Sequence, residues 1–119
     1  MEYFDVAKVM YSSIGLRLGC TDPSEIERLV SQLKQFFPQM RVERAYKLPS
    51  GETYWYNIKG LSAGGDDVGW WAIKQLCQQG WEPFDVSSEV IADATTYIYH
   101  LKRKTQDYRN VAPFITHPE

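Results

Sequence analysis

Residues Gly69–Lys104, GWWAIKQLCQQGWEPFDVSSEVIADATTYIYHLKRK, decide the fold class of this chain. The stretch predicts a helix that ends at Gly80, because glycine suits the left-handed conformation that closes many helices. Two strands should follow, over residues 81–87 and 95–104, with a loop between them. Because Pro83 lacks an amide hydrogen, the first of these strands should lie at a sheet edge or carry a bulge.

The predicted helix, over residues 67–79, has one apolar and one polar face. Its apolar face comprises Gly69, Ala72, Ile73, Leu76 and Cys77, with Trp70 at the edge. Trp71 falls on the opposite side, beside Asp67 and Lys74. The pattern therefore predicts a large indole on the polar face of this helix.

The N-terminal segment carries apolar residues at even positions. They are Phe4, Val6, Met10, Ile14, Leu16 and Leu18. A period of two predicts extended structure with one buried face. A single strand of this length would be unusual, so Ser12, Ser13 and Gly15 are predicted to form a bulge or tight bend that divides it into two strands.

A first helix is predicted over residues 22–37. Asp22 is a suitable N-cap, and Pro23 suits the first helical position. An amphipathic stripe follows, made of Ile26, Leu29, Val30, Leu33, Phe36 and Phe37. Pro38 should end the helix, since the residue before a proline is disfavoured in helical conformation.

The segment Met40–Gly60 predicts a β-hairpin whose turn contains a left-handed Gly51. The predicted pairs include Val42–Ile58, Glu43–Asn57, Ala45–Trp55 and Tyr46–Tyr54. One face of this hairpin is apolar apart from Arg44. Trp55 lies on the other face, among polar residues that include Lys47.

These elements predict an α+β fold in the order β-β-α-β-β-α-β-β, an antiparallel sheet with both helices packed on one face. The predicted core includes Val6, Leu29, Leu33, Phe36, Val42, Ile58, Ile73, Leu76 and Tyr99. We expect one domain over residues 1–104 and a tail over 105–119. The similar segments 33–39 and 73–79 suggest an α-β-β duplication, with chance similarity of two helix ends as the alternative.

Composition narrows the class of protein. The chain has 119 residues and a formal net charge of -2, which gives no general reason to expect nucleic acid or membrane as a partner. It has no signal peptide pattern and no apolar run that approaches a membrane helix. Cys20 and Cys77 lack the spacing of a zinc or redox site, so we expect two reduced thiols, with Cys77 on the core face of its helix. We therefore expect a soluble, cytoplasmic protein.

The Gly80-Trp81-Glu82 tripeptide and the final strand Tyr97–Arg103 carry a family resemblance. Residues 53–103 resemble a bacterial family, domain of unknown function 4177, in which a helix, a Gly-Trp-Glu strand opening and a closing strand with basic residues succeed one another. The resemblance implies a fold for this half of the chain. It implies no catalytic residues.

No residue pattern indicates a reaction. His100 and His117 are the only histidines and lack ligand spacing. No GxSxG elbow is present, and neither the Gly64-Gly65 pair nor the Asp66-Asp67 pair belongs to a phosphate-binding or EF-hand motif. We therefore expect no enzyme, no metal and no cofactor.

Exposed aromatic residues favour binding instead, because exposed tryptophan is typical of interaction hot spots. We expect a protein-interaction module whose partner includes a second copy of itself. Alternatively, the tail or the N-terminal strand buries one of the two tryptophans, and that residue then needs no partner. The alternative function is binding of a small, nucleotide-like anion by aromatic stacking and basic side chains. The predicted binding residues for both are Lys47, Trp55, Trp71, Tyr97, Lys102 and Arg103.

Overall fold

The computed structural model describes residues 3–13, 15–47, 54–61 and 65–105. Its elements are β1 (Tyr3–Ser12), β2 (Gly15–Cys20), α1 (Pro23–Phe36), β3 (Arg41–Lys47), β4 (Tyr54–Lys59), α2 (Gly65–Gln78), β5 (Glu82–Ile91) and β6 (Ala94–Thr105). The predicted order of elements is confirmed. The turn predicted at Gly51 and the tail lie outside the described residues.

All six strands form one antiparallel sheet in the order β3-β4-β2-β1-β6-β5. The order is symmetric about the central β1–β2 hairpin, with one α-β-β unit added on each side. This is the arrangement that a duplication would produce. It leaves β3 and β5 at the two edges.

Both helices pack on one face of the sheet, as predicted. The buried residues on this helix side include Ala7, Val9, Tyr11, Leu16, Leu18, Ile58 and Leu101 from the strands and Ile26, Leu29, Leu33, Ala72, Ile73 and Leu76 from the helices. Val42 and Tyr99 pack against this core while partly buried. We call the opposite side of the sheet the far face. No helix in the described part of the chain is long and apolar enough to cross a membrane.

Two predicted core residues are not in the core. Val6 is half-buried on the far face, because β1 buries its odd positions, among them Val9 and Tyr11. Phe36 is 63% exposed. It is the last residue of α1, and its neighbour Phe37 packs against the core in its place.

The β3–β4 hairpin follows the predicted register only in its first half. Val42 pairs with Ile58 as predicted, but a bulge follows Glu43 and the next pair is Tyr46 with Trp55. The predicted Tyr46–Tyr54 pairing is therefore wrong, because a bulge places two residues of one strand opposite one of the other.

The helix termini follow their predicted caps. Asp22 accepts a hydrogen bond from the Ser24 amide at 3.1 Å, and Gly80 has a φ of +89°. Cys77 is exposed, contrary to the prediction. α2 continues to Gln78, but Leu76 is the last buried residue on its inner face, and the Leu76 carbonyl accepts a hydrogen bond from the Trp81 amide where the chain turns back to the sheet.

The predicted loop between the last two strands is wrong. β5 continues to Ile91 and pairs with β6 as far as Ala94. Ala92 and Asp93 connect the strands with φ angles of 52° and 64°, the conformation of a tight two-residue hairpin turn. The bulge between Pro83 and Asp85 and the edge position of β5 confirm the prediction made from Pro83.

Candidate functional site

The β5–β6 hairpin carries apolar side chains into solvent on the helix side of the sheet. Val86 is 54% exposed and Val90 is 72% exposed on β5, and Tyr97 is 41% exposed on β6. Trp70 of α2 is 49% exposed and meets the partly buried Tyr99 edge-on, with 5.9 Å between ring centroids. We call these five residues the hairpin patch.

Buried aromatic packing holds the patch in place. The ring of Tyr11, which is almost fully buried, lies 5.5 Å from that of Tyr97 and 6.1 Å from that of Tyr99. Aromatic pairs at such distances add to the stability that burial provides. The aromatic members of the patch are therefore packed in place, so binding to them would cost little side-chain entropy.

Sequence reasoning missed most of this patch. Val90 lies in the segment predicted as a loop, and Trp70 was placed beside the apolar face of α2. The β-branched residues Val86 and Val90, an even number of positions apart, were the signal for a longer strand.

Trp71 does not lie on a polar face. It packs against the core and makes an edge contact with Phe36, with 6.0 Å between ring centroids. The contact arises because α1 lies beside α2 on the same side of the sheet. A helical wheel of one helix does not include such a neighbour, so the predicted exposure of Trp71 is wrong.

Trp55 and Lys47 are described through their backbones alone. Lys47 pairs with Tyr54, and Trp55 pairs with Tyr46 on one side and Gly19 on the other. This pairing row continues through Gly19 to Lys8 of β1. The role proposed for Trp55 from the sequence stays a prediction.

The structure does not bring the remaining predicted binding residues together. Tyr97 and Arg103 lie on the helix side of β6, whereas Lys102 lies on the far face, because successive residues of a strand point to opposite sides. The predicted combination of Tyr97 with Lys102 therefore does not form on one surface.

Arg103 belongs to an ion-pair network that joins β6 to the start of α1. Its Nη2 lies 3.3 Å from Oδ2 of Asp22 and 3.9 Å from Oδ2 of Asp5, and its Nη1 lies 3.6 Å from Oε2 of Glu25. The guanidinium also stacks over Trp81, 4.6 Å from the ring centroid. These contacts give Arg103 a structural role, because its charge is already matched within the fold.

The far face carries a second group of functional side chains, which we call the far-face cluster: Phe4, Lys8, Phe84, His100 and Lys102. Nζ of Lys102 lies 5.0 Å from the ring centroid of Phe4 and 5.7 Å from that of Phe84. The rings of Phe84 and His100 are 6.1 Å apart. Aromatic rings and basic groups are thus combined here.

The charges of this cluster influence one another. Burial and then the nearby cation of Lys8 lower the pKa of His100, while the carboxylate of Asp85 opposes the shift. Burial also lowers the pKa of Lys8. An anion bound at this surface would offset both effects.

A groove of about 260 Å³ lies further along the sheet, where the β1–β2 hairpin turns. Its lining includes Met10, Ser12, Arg17, Asn57, Lys59, Ile91 and Thr96. Glu43 accepts a hydrogen bond from Asn57 and forms an ion pair with Lys59 at 2.8 Å.

Within the described residues, no group of three histidine, cysteine or acidic side chains could hold a metal ion.

No protein-family model and no curated protein matches this chain. The likeness of residues 53–103 to the domain of unknown function 4177 family therefore stays a resemblance.

Proposed function

We propose that this protein is a non-catalytic interaction module that binds a protein partner, including a second copy of itself, through the hairpin patch. The observation that carries the proposal is the exposure of aromatic and aliphatic side chains on the β5–β6 hairpin and the adjoining Trp70 of α2, at the edge of the sheet. Contiguous exposed apolar surface of this kind marks protein-interaction sites. A homodimer that joins two patches face to face would bury the same surface in both copies.

Trp70→Ala should weaken self-association at least tenfold, because a tryptophan at the centre of an interface typically contributes about 2 kcal/mol or more. Sedimentation velocity over a concentration series measures the dissociation constant. Trp55→Ala, studied in the same series, tests the residue that the sequence favoured.

Phe36→Ala is the matched control, because it removes an aromatic side chain that is also exposed but lies outside the patch. It should leave the dissociation constant unchanged. Wild-type protein that stays monomeric at every concentration would contradict the homodimer. Equal dissociation constants for wild type and Trp70→Ala would remove the patch from the interface.

The far-face cluster favours one second candidate function, the binding of a small phosphate-bearing ligand. Lys102 lies between two phenyl rings, and Lys8 pairs directly across the strands with His100. Such a surface can stack a planar group on an aromatic ring and hold a phosphate with a few donors.

The pKa of His100 tests this candidate phosphate site. Its pKa should lie below the ordinary value of about 6.5, and Lys8→Met should raise it by removing a neighbouring cation. With a lowered pKa in the folded state, His100 binds a proton more readily in the unfolded chain. Protonation of His100 should therefore lower the free energy of unfolding as the pH falls below about 6.5. NMR titration measures the pKa directly.

Adenosine monophosphate provides the ligand test in the same titration. Bound phosphate should raise the pKa of His100, because an anion favours the charged imidazole. Lys102→Met should abolish that increase, and Lys34→Met, a change on the exposed surface of α1, should not. An unchanged pKa of His100 at millimolar nucleotide would contradict the candidate.

A further inference from the structure

The two edge strands of the sheet have opposite charge. β5 carries the three carboxylates of Glu82, Asp85 and Glu89 and no basic residue. β3 has the sequence RVERAYK, in which three basic residues outnumber a single glutamate. Glu43 is that glutamate, and it is already paired with Lys59. The net charge of β3 is therefore positive.

The direction of the edge strands is equally informative. An antiparallel sheet alternates strand direction, so the first and last of its six strands, β3 and β5, run in opposite directions. A second copy placed beside β5 in the same orientation would therefore present its β3 antiparallel to β5. The sheet would continue across the contact, with the helices of both copies on the same side.

β5 offers a suitable edge for such pairing. From Asp85 to Ile91 its register with β6 is unbroken, and its other side has no strand partner within the described residues. Asp85 and Glu89 have no ion pair within 4 Å in that part of the chain, and both are exposed. On the helix side, the exposed side chains of Val86 and Val90 would contact apolar residues of an added strand.

Pairing of two β5 strands is disfavoured by comparison, because it would place carboxylates of both copies along one seam. The only basic edge within the described fold is β3, where Arg41 is exposed. The net charge of β3 and its direction relative to β5 thus both favour β3 as the strand that pairs with β5.

We propose that β5 of one copy pairs with β3 of the next, so that copies associate head to tail into a continuous antiparallel sheet. This contact shares Val86 and Val90 with the hairpin patch but differs from it, since it uses the backbone edge of β5 rather than the side chains of Trp70 and Tyr97. A head-to-tail contact leaves one free β3 and one free β5, and assembly therefore continues past the dimer.

Two charge-reversal variants test the proposal. Asp85→Lys combined with Glu89→Lys makes β5 basic, and Arg41→Glu combined with Lys47→Glu makes β3 acidic. Each variant alone should associate at least tenfold more weakly than wild type in sedimentation velocity, because like charges then face each other across the pairing. Association of the wild type should weaken as salt is raised.

Mixing the two variants gives the sharpest result. The first retains a basic β3 and the second an acidic β5, and the two reversed edges are again opposite in charge, so the mixture should regain association, with the two variants alternating along the sheet. Glu27→Lys, an exposed charge reversal on α1, serves as the control and should associate like wild type. Circular dichroism checks that each variant is folded.

Three results would overturn the proposal: wild type that does not exceed a dimer, edge variants that associate like wild type, or a mixture that forms no complex. Loss of association in Trp70→Ala with unchanged edge variants would leave the hairpin patch as an interface and reject strand pairing. The reverse result would reject the patch and retain the edges.

Discussion

Leu33→Ala should destabilise the protein by about 2–5 kcal/mol, the range for deletion of a large aliphatic side chain from a packed core. Leu33 lies on the inner face of α1 and is 1% exposed. Its removal leaves a cavity between the helix and the sheet that the surrounding strands can fill only in part. Urea unfolding of wild type and variant measures the difference.

Phe36→Ala is the control for this prediction, because it removes a larger side chain from the same helix. Phe36 is mostly exposed and touches Trp71 by one ring edge. Its loss should cost less than about 1 kcal/mol. A change below about 0.5 kcal/mol for Leu33→Ala would contradict the packing of α1 on the sheet.

The helices and the order of the elements could be predicted from the sequence because their signals are local. The N-cap at Asp22 and the C-cap at Gly80 depend on nearby backbone groups, and the stripe through Leu29 and Leu33 depends on one helix alone. Packing then confirms what local chemistry already favours.

Which face of β1 is buried could not be predicted from such local signals. β1 is a central strand with apolar residues on both sides, so Phe4 and Val6 gave a period of two without showing which side is covered. The hairpin pairs Ser12 with Gly15 and thereby exchanges odd and even positions between β1 and β2. Even positions are consequently buried in β2 and lie on the far face in β1.

The candidate site depends on contacts between elements, and this explains why it was predicted poorly. Trp71 packs against the core and meets Phe36 of the other helix, while Trp70 of α2 lies against Tyr99 of β6. The turn at Ala92 and Asp93 lacks the glycine that usually indicates a two-residue hairpin. Without that signal, the strand that carries Val90 was assigned to a loop.

The approach of α2 to the sheet depends on Gly69. A Cβ atom at this position would overlap Cγ and Cδ2 of Tyr11 and lie 2.7 Å from its Cβ. Carbon atoms in good contact are about 3.5–4.0 Å apart. Because these are the inner atoms of a buried side chain, rotation of the ring cannot relieve the overlap.

Gly69→Ala should therefore destabilise the protein by about 1–3 kcal/mol or more, as overpacking of a core does. Alanine is favoured over glycine in a helix by about 1 kcal/mol, so the sign of the change separates helix propensity from close packing. Urea unfolding gives the free energy, and Gly15→Ala is the control because a Cβ there meets no atom within 4 Å. In a Tyr11→Ala background, from which the ring is absent although the Cβ remains, Gly69→Ala should cost less than it does in the wild type, a coupling that a double-mutant cycle measures. If Gly69→Ala stabilises the protein that retains Tyr11, then α2 does not lie as close to β1 as the structure places it.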